Sequence, residues 1–130
     1  PDNLERARAG RYSEWSLRET PPLVVSRWFR KEGRQYVLDD VIRQSVRFVQ
    51  ANFARDEPEL LPLGSFDIVF CRNVLIYFSH ENKRDIIARI ARCLQPRGYL
   101  FLGGSEPIAN YSSDFEMLRA GRGVLYRLKG

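Results

Sequence analysis

Arg72 and Asn73 stand side by side in the apolar stretch FDIVFCRNVLIYFS, which runs from Phe66 to Ser79. Burying a cation and an amide there without partners is costly, so both must reach water or meet a ligand. They follow directly on Phe66–Cys71, a short apolar run of the kind that forms a strand buried on both faces of a parallel sheet. In open α/β sheets, ligands bind beyond the carboxyl ends of the strands. Arg72 and Asn73 therefore fall on the rim where such a strand stops being buried. Gly103, Gly104, Ser105 and Glu106 hold the equivalent rim after a second apolar strand, YLFLGG, and Asn52 and Phe53 close the strand-like run before. Three consecutive strand ends with polar or small residues point to a site. Taken singly, each has a structural explanation: Arg72 as a partner of Asp67 or Glu106, Asn73 as a turn cap.

The chemistry of such a site is constrained by what it lacks. The lone histidine, His80, sits beside Ser79 in what reads as the first turn of a helix, a solvent-facing position rather than that of a base. No His/Cys/Asp cluster has metal-ligand spacing and no Ser-His-Asp arrangement is evident; "GRG" and "LGG" are too weak for phosphate loops. A rim without acid, base or metal suggests that a cofactor carries the chemistry. Tyr77 divides evenly between a site residue and an aromatic core residue leading into the helix.

The elements that must position these residues are readable from pattern. Asn3–Ala9 predicts a helix stopped by Gly10, and Pro22 opens a short amphipathic helix after a loop, RYSEWSLRETPP. Gly33 centres a turn, and the chain is strand-like from Tyr36 to Leu38. An acidic corner follows at Asp39-Asp40, and the alternation in VRFVQANF then predicts a strand. Ser79 is an N-cap candidate for a helix with Ile86, Ile87, Ile90, Ala91 and Leu94 on one face and Lys83, Arg84, Arg89 and Arg92 elsewhere. QPRG ends it. FEMLRAGRGVLYRLK reads as a hairpin around Gly121 to Gly123. Strand, helix, strand and terminal hairpin give an α/β class with a mostly parallel sheet.

Composition agrees with a folded domain. The chain has 130 residues, 44% of them apolar, and a net charge of +5 in which 18 of the 21 cations are arginine. No block of five like charges occurs, so the basic balance alone selects neither nucleic acid nor an acidic protein surface. Cys71 and Cys93 lie in apolar segments without CxxC spacing, as free thiols of a reducing compartment do. No run reaches membrane-span length and no signal peptide opens the chain, so a cytoplasmic location without membrane insertion is expected.

FDIVFCRNVLIYF, then a helix ending LQPRGYLFLGGSE, then GVLYRL closely resembles the C-terminal half of the chemotaxis receptor methyltransferases, the CheR family. GRYSEWSLRETPP and VRFVQANF resemble the segments that precede these, so the likeness covers nearly the whole chain in the right order. It implies a partial class I, Rossmann-like methyltransferase fold that uses S-adenosylmethionine, releases S-adenosylhomocysteine, and makes glutamate methyl esters on the cytoplasmic helices of bacterial chemoreceptors. By that resemblance Asn52 and Phe53 would flank the adenine, Cys71, Arg72 and Asn73 would lie against the cofactor, and Tyr77 would stand near the methyl donor. From the chemistry rather than the resemblance, Arg72, or Arg side chains nearby, are expected to hold the substrate carboxylate. The segment from about Trp28 to Arg47 would be a small inserted β-subdomain, which in some members binds a receptor's C-terminal peptide; its turn, RKEGRQ, is short beside theirs. PDNLERARAG looks like the helix that follows the family's glycine-rich turn and ribose-binding acid. The sequence is therefore expected to start in mid-fold, without those motifs or the N-terminal helical domain, and to bind S-adenosylmethionine weakly or not at all alone.

Two other readings use the same residues. A nucleic-acid methyltransferase would account for the basic balance, but Asn73 is followed by Val74-Leu75-Ile76-Tyr77 rather than by Pro-Pro-Tyr/Phe, and the aromatics do not interleave with basic residues. A non-catalytic interaction module would expose an edge strand and a helix-facing surface, and would self-associate through that edge.

Overall fold

The computed structural model describes residues 2–52, 55, 59–103, 108, 111–121 and 123–130. The chain divides into two compact units, Pro1–Gln50 and Ala51–Gly130.

The first unit is built on a three-stranded antiparallel sheet. Helix α1 (Asp2–Ala9) ends at Gly10, whose φ of 64° is the left-handed conformation that stops helices. The loop expected after it contains a strand, β1 (Arg11–Ser13), and a 3-10 turn, Trp15–Leu17. Three residues carry too little periodicity to reveal a strand; pairing with β3 creates it. Helix α2 (Pro22–Trp28) begins with proline at its first position, and β2 (Phe29–Glu32) turns at Gly33 into β3 (Gln35–Leu38). The strand order is β1-β3-β2, with Val37 of the central strand buried. The acidic corner is a cap: the Asp39 carboxylate accepts from the Val41 amide at 2.9 Å and starts a short helix, α3 (Asp40–Gln44).

The strand expected in VRFVQANF does not form. Residues 46–52 have no ladder, and Val46 and Val49 are exposed. Alternation makes a segment suitable for pairing, but a strand exists only where a neighbour accepts its hydrogen bonds.

The second unit holds a four-stranded sheet in the order β4-β5-β7-β6, made by β4 (Phe66–Cys71), β5 (Leu94–Leu102), β6 (Phe115–Ala120) and β7 (Gly123–Leu128). The parallel pair β4–β5 is joined through α4 (His80–Cys93); β5–β7 and the terminal hairpin β6–β7 are antiparallel. The described sheet is thus mixed rather than mostly parallel, because the hairpin returns against β5 as well as on itself. Ser79 caps α4 as expected, accepting from the Asn82 amide.

Ile86, Ile87 and Ile90 of α4 pack with Leu94, Leu100 and Tyr126 into the core. QPRG does not end the helix as a separate turn: β5 already pairs at Leu94, and the register jumps from Phe66↔Leu94 to Ile68↔Tyr99 with Arg97 at a φ of 63°. The strand Phe66–Cys71 is buried on one face only. Cys71 lies in the core, while Phe66, Ile68 and Phe70, on the alternate face, are 38%, 49% and 68% exposed. Nor is β5 fully buried, since Tyr99, Phe101 and Leu102 keep partial access. A strand apolar on both sides is enclosed only where both sides carry a layer, and α4 supplies one.

A candidate site at the ends of β4 and β5

The parallel register Cys71↔Leu102 sets the carboxyl ends of β4 and β5 side by side. Each strand therefore delivers its next residues, Arg72-Asn73 and Gly103, to the same rim. Asn73 takes a φ of 60°, which asparagine tolerates better than most side chains. That turn brings it against Gly103 so closely that a Cβ there would lie 3.0 Å from Asn73 N and 3.3 Å from Arg72 Cα. Glycine is required at Gly103 by proximity, because backbone and amide fill the space a side chain would occupy.

Cys71 is buried beneath this rim, and burial pushes its thiol above the ordinary value of 9.0, so it is a neutral packing group at physiological pH. Arg72 is exposed and makes no ion pair with any described residue; the alternative partner Asp67 is not used, and Glu106 lies outside the described residues. After Val74 the chain makes a 3-10 turn, Leu75–Tyr77, closed by Phe78 N donating to Leu75 O at 3.0 Å. Leu75 anchors the turn in the core while Tyr77 points outward, 81% exposed. Tyr77 is therefore a surface residue, and the core alternative does not hold.

The structure thus brings Cys71, Arg72, Asn73 and Gly103 together and sets Tyr77 one turn beyond. Asn52 belongs to the same compact unit, where its carbonyl accepts from the Arg55 amide at 3.0 Å, and it joins the group only through the family resemblance. Phe53, Gly104 and Ser105 lie outside the described residues. Among the described residues, no group of three or more His, Cys, Asp and Glu side chains is arranged to hold a metal ion, and no helix is long and apolar enough to cross a membrane.

Two residues of the second unit escape sequence reasoning. Lys83 was expected on the polar side of α4 but is 9% exposed, on the face that carries Ile86, Ile87 and Ile90. Its correction follows from position: 83, 86, 87 and 90 share one helical face, and that face packs inward whatever residue it carries. Tyr111 had no pattern to mark it, and it meets both Lys83 and His80.

Among the described residues, the rim offers a close backbone surface at Asn73–Gly103 and the exposed polar side chains of Arg72 and Asn73.

The family model described as "CheR methyltransferase, SAM binding domain" matches residues 1–124. The chain is 41% identical over 128 residues to chemotaxis protein methyltransferase 1 of Pseudomonas aeruginosa, covering 97% of this chain and 46% of that protein. It is 42% identical over 129 residues to a chemotaxis protein methyltransferase of Vibrio parahaemolyticus, with the same two coverages. An uncharacterized 104.1 kDa protein of Rhodobacter capsulatus is 37% identical over 120 residues, which are 92% of this chain and 12% of that protein. The chain spans about half the length of the chemotaxis relatives it matches.

Proposed function

The chain belongs to the CheR methyltransferase family, through its SAM-binding domain, and on that premise we propose that it forms part of a cytoplasmic protein-glutamate O-methyltransferase of class I, Rossmann-like fold. The observation that supports this reading is the meeting of Asn73 and Gly103 at the ends of two parallel strands, where α/β sheets bind ligands. The substrates would be glutamate side chains on the cytoplasmic helices of chemoreceptors.

S-adenosylmethionine, when bound, supplies a methyl group on a positively charged sulfur and is left as S-adenosylhomocysteine. The residues that would hold it are Asn52, Phe53, Cys71, Arg72 and Asn73, with Tyr77 beside the donor methyl. A glutamate carboxylate, with an ordinary pKa of about 4.3, is already ionised at neutral pH and needs no base. What the protein must do is align the carboxylate oxygen and exclude water. The exposed Arg72 guanidinium is suited to orient the incoming carboxylate.

Calorimetric titration with S-adenosylhomocysteine tests the reading, on this chain and on one extended upstream by the part that the relatives carry. Binding in the micromolar range or tighter by the extended chain, with base-labile methyl transfer to a receptor helix, supports it. No binding by either chain would sink it.

A further inference from the structure

We propose that β4 is a docking edge for a second copy of this chain, the two strands pairing antiparallel about Ile68. The proposal stands on the sheet alone and does not depend on what the rim binds.

β4 is a terminal strand of its sheet, in the order β4-β5-β7-β6, and among the described residues no strand pairs its outer side. An edge of this kind presents a row of N–H and C=O groups that can receive another strand. Proteins usually blunt such edges with lysine, proline, a bulge or a very short strand. β4 has six residues, FDIVFC, without lysine or proline, and its irregularity lies on the β5 side, between Phe66 and Ile68. Only Asp67 puts a charge on it. The opposite terminal strand, β6, is guarded better: it carries Glu116 and Arg119, and Glu116 is paired with Arg127 at 2.6 Å.

The face of β4 turned away from α4 adds apolar surface to the backbone template. Phe66, Ile68 and Phe70 are 38%, 49% and 68% exposed there. Phe70 is held in place, stacked on Phe101 of β5 with centroids 4.8 Å apart and planes 20° from parallel.

A second copy fits because the strand is nearly self-complementary. Residues directly opposite in an antiparallel pair point to the same face. Centred on Ile68, the pairing sets Phe66 opposite Phe70 of the other copy, Ile68 opposite Ile68, and Asp67 opposite Val69. Aromatic and aliphatic pairs then line the exposed face, and no like charges stand directly opposite. A slip of one residue would set the exposed face of one copy beside the α4 side of the other, so the pattern favours this register. Each copy uses its edge once, which gives a closed two-fold dimer.

Sedimentation velocity on this chain, over about a hundredfold range of concentration, should show a monomer–dimer equilibrium in the micromolar range, as small interfaces give. Phe70→Lys should weaken dimerisation about tenfold or more while the urea midpoint stays near wild type. Ile68→Cys should cross-link to its own copy under mild oxidation, because directly opposite Cα atoms lie about 4.5–5.5 Å apart, within disulfide reach. Arg119→Cys, on β6, should not. Should Phe70→Lys fail to fold, the Ile68→Cys cross-link still decides. A chain that stays monomeric throughout overturns the proposal. A dimer that keeps its affinity in Phe70→Lys and gives no cross-link at Ile68→Cys overturns it too, by placing the contact elsewhere. So does a monomer in which Phe70→Cys labels quickly, but slowly in the chain extended by the part that the relatives carry; the edge then belongs to that part.

Discussion

A Cβ built on Gly103 would stand 2.6 Å from Asn73 Oδ1 and 3.0 Å from Asn73 N, so the ends of β5 and β4 are in contact at a point where no side chain fits between them. The amide oxygen can swing aside, but the backbone nitrogen cannot without moving the turn. Gly103→Ala should therefore destabilise the chain by about 1–3 kcal/mol, the usual penalty for overpacking. Urea denaturation followed by circular dichroism measures it. A midpoint equal to wild type would show that the turn yields freely, and the rim would then be less rigid than its geometry implies.

Asn73 itself is held at a φ of 60° and Arg97 at 63°, both in the left-handed region. A residue with a Cβ is strained there by about 1–2 kcal/mol, asparagine less than most. Arg97→Gly should accordingly raise stability by about 1 kcal/mol, while Asn73→Gly should change it little and Asn73→Ala should lower it. The same denaturation series ranks the three. A stabilising Asn73→Ala would mean that the left-handed turn is not required by its surroundings.

Much of this was legible in the sequence because local chemistry decided it. Ser79 capped a helix, Gly10 ended one, Pro22 opened one, and Phe66–Cys71 became a strand with the bounds its apolar run suggested. What could not be read depended on partners distant in the chain. The alternation of VRFVQANF promised a strand, yet residues 46–52 find no neighbour to pair with. Phe70 looked like a core residue and is 68% exposed, because burial of the second face of β4 needs a layer that its own sequence cannot supply. At the site, Arg72 and Asn73 announced themselves by polarity inside an apolar run. Lys83 did not, since a lysine on a helix is ordinarily solvated and only the packing of α4 shows otherwise.

The two thiols make a prediction about pH. Burial raises Cys71 above 9.0, and it raises Cys93 too, against a smaller opposing effect of a hydrogen bond from Cys93's own backbone. With rising pH the unfolded chain loses these protons first. The stability that the neutral thiols carry is therefore complete below about pH 9 and is lost as pH climbs through the higher folded values. Urea midpoints should hold level from about pH 7 to 8.5 and fall beyond pH 9, with a shallower fall in the Cys71→Ala/Cys93→Ala double variant. Alkylation by iodoacetamide at pH 7.5 should be slow until denaturant is added. Rapid labelling of the folded chain, or equal alkaline slopes in both proteins, would show that the thiols are not shielded.

Arg72 and Tyr77 share a feature that makes them separable from the fold: both are exposed, and Arg72 has no ion-pair partner among the described residues. Removing either should leave stability within about 0.5 kcal/mol, as surface substitutions away from caps and cores do. Any large effect on methyl transfer is then an effect on chemistry. If Arg72 orients the substrate carboxylate, Arg72→Ala should raise KM for the receptor substrate about tenfold and lower kcat less, with Arg72→Lys intermediate because a point charge replaces a planar fork. If Tyr77 lies beside the donor methyl, Tyr77→Ala should reduce kcat while Tyr77→Phe, which keeps the ring, shows how much of that loss belongs to the hydroxyl. The assay is initial rate of base-labile methyl incorporation into a receptor fragment, by a form of the enzyme that binds S-adenosylhomocysteine. Rates and affinities unchanged in both alanine variants would remove the two residues from the site and leave the rim to its backbone, Asn73 and Gly103.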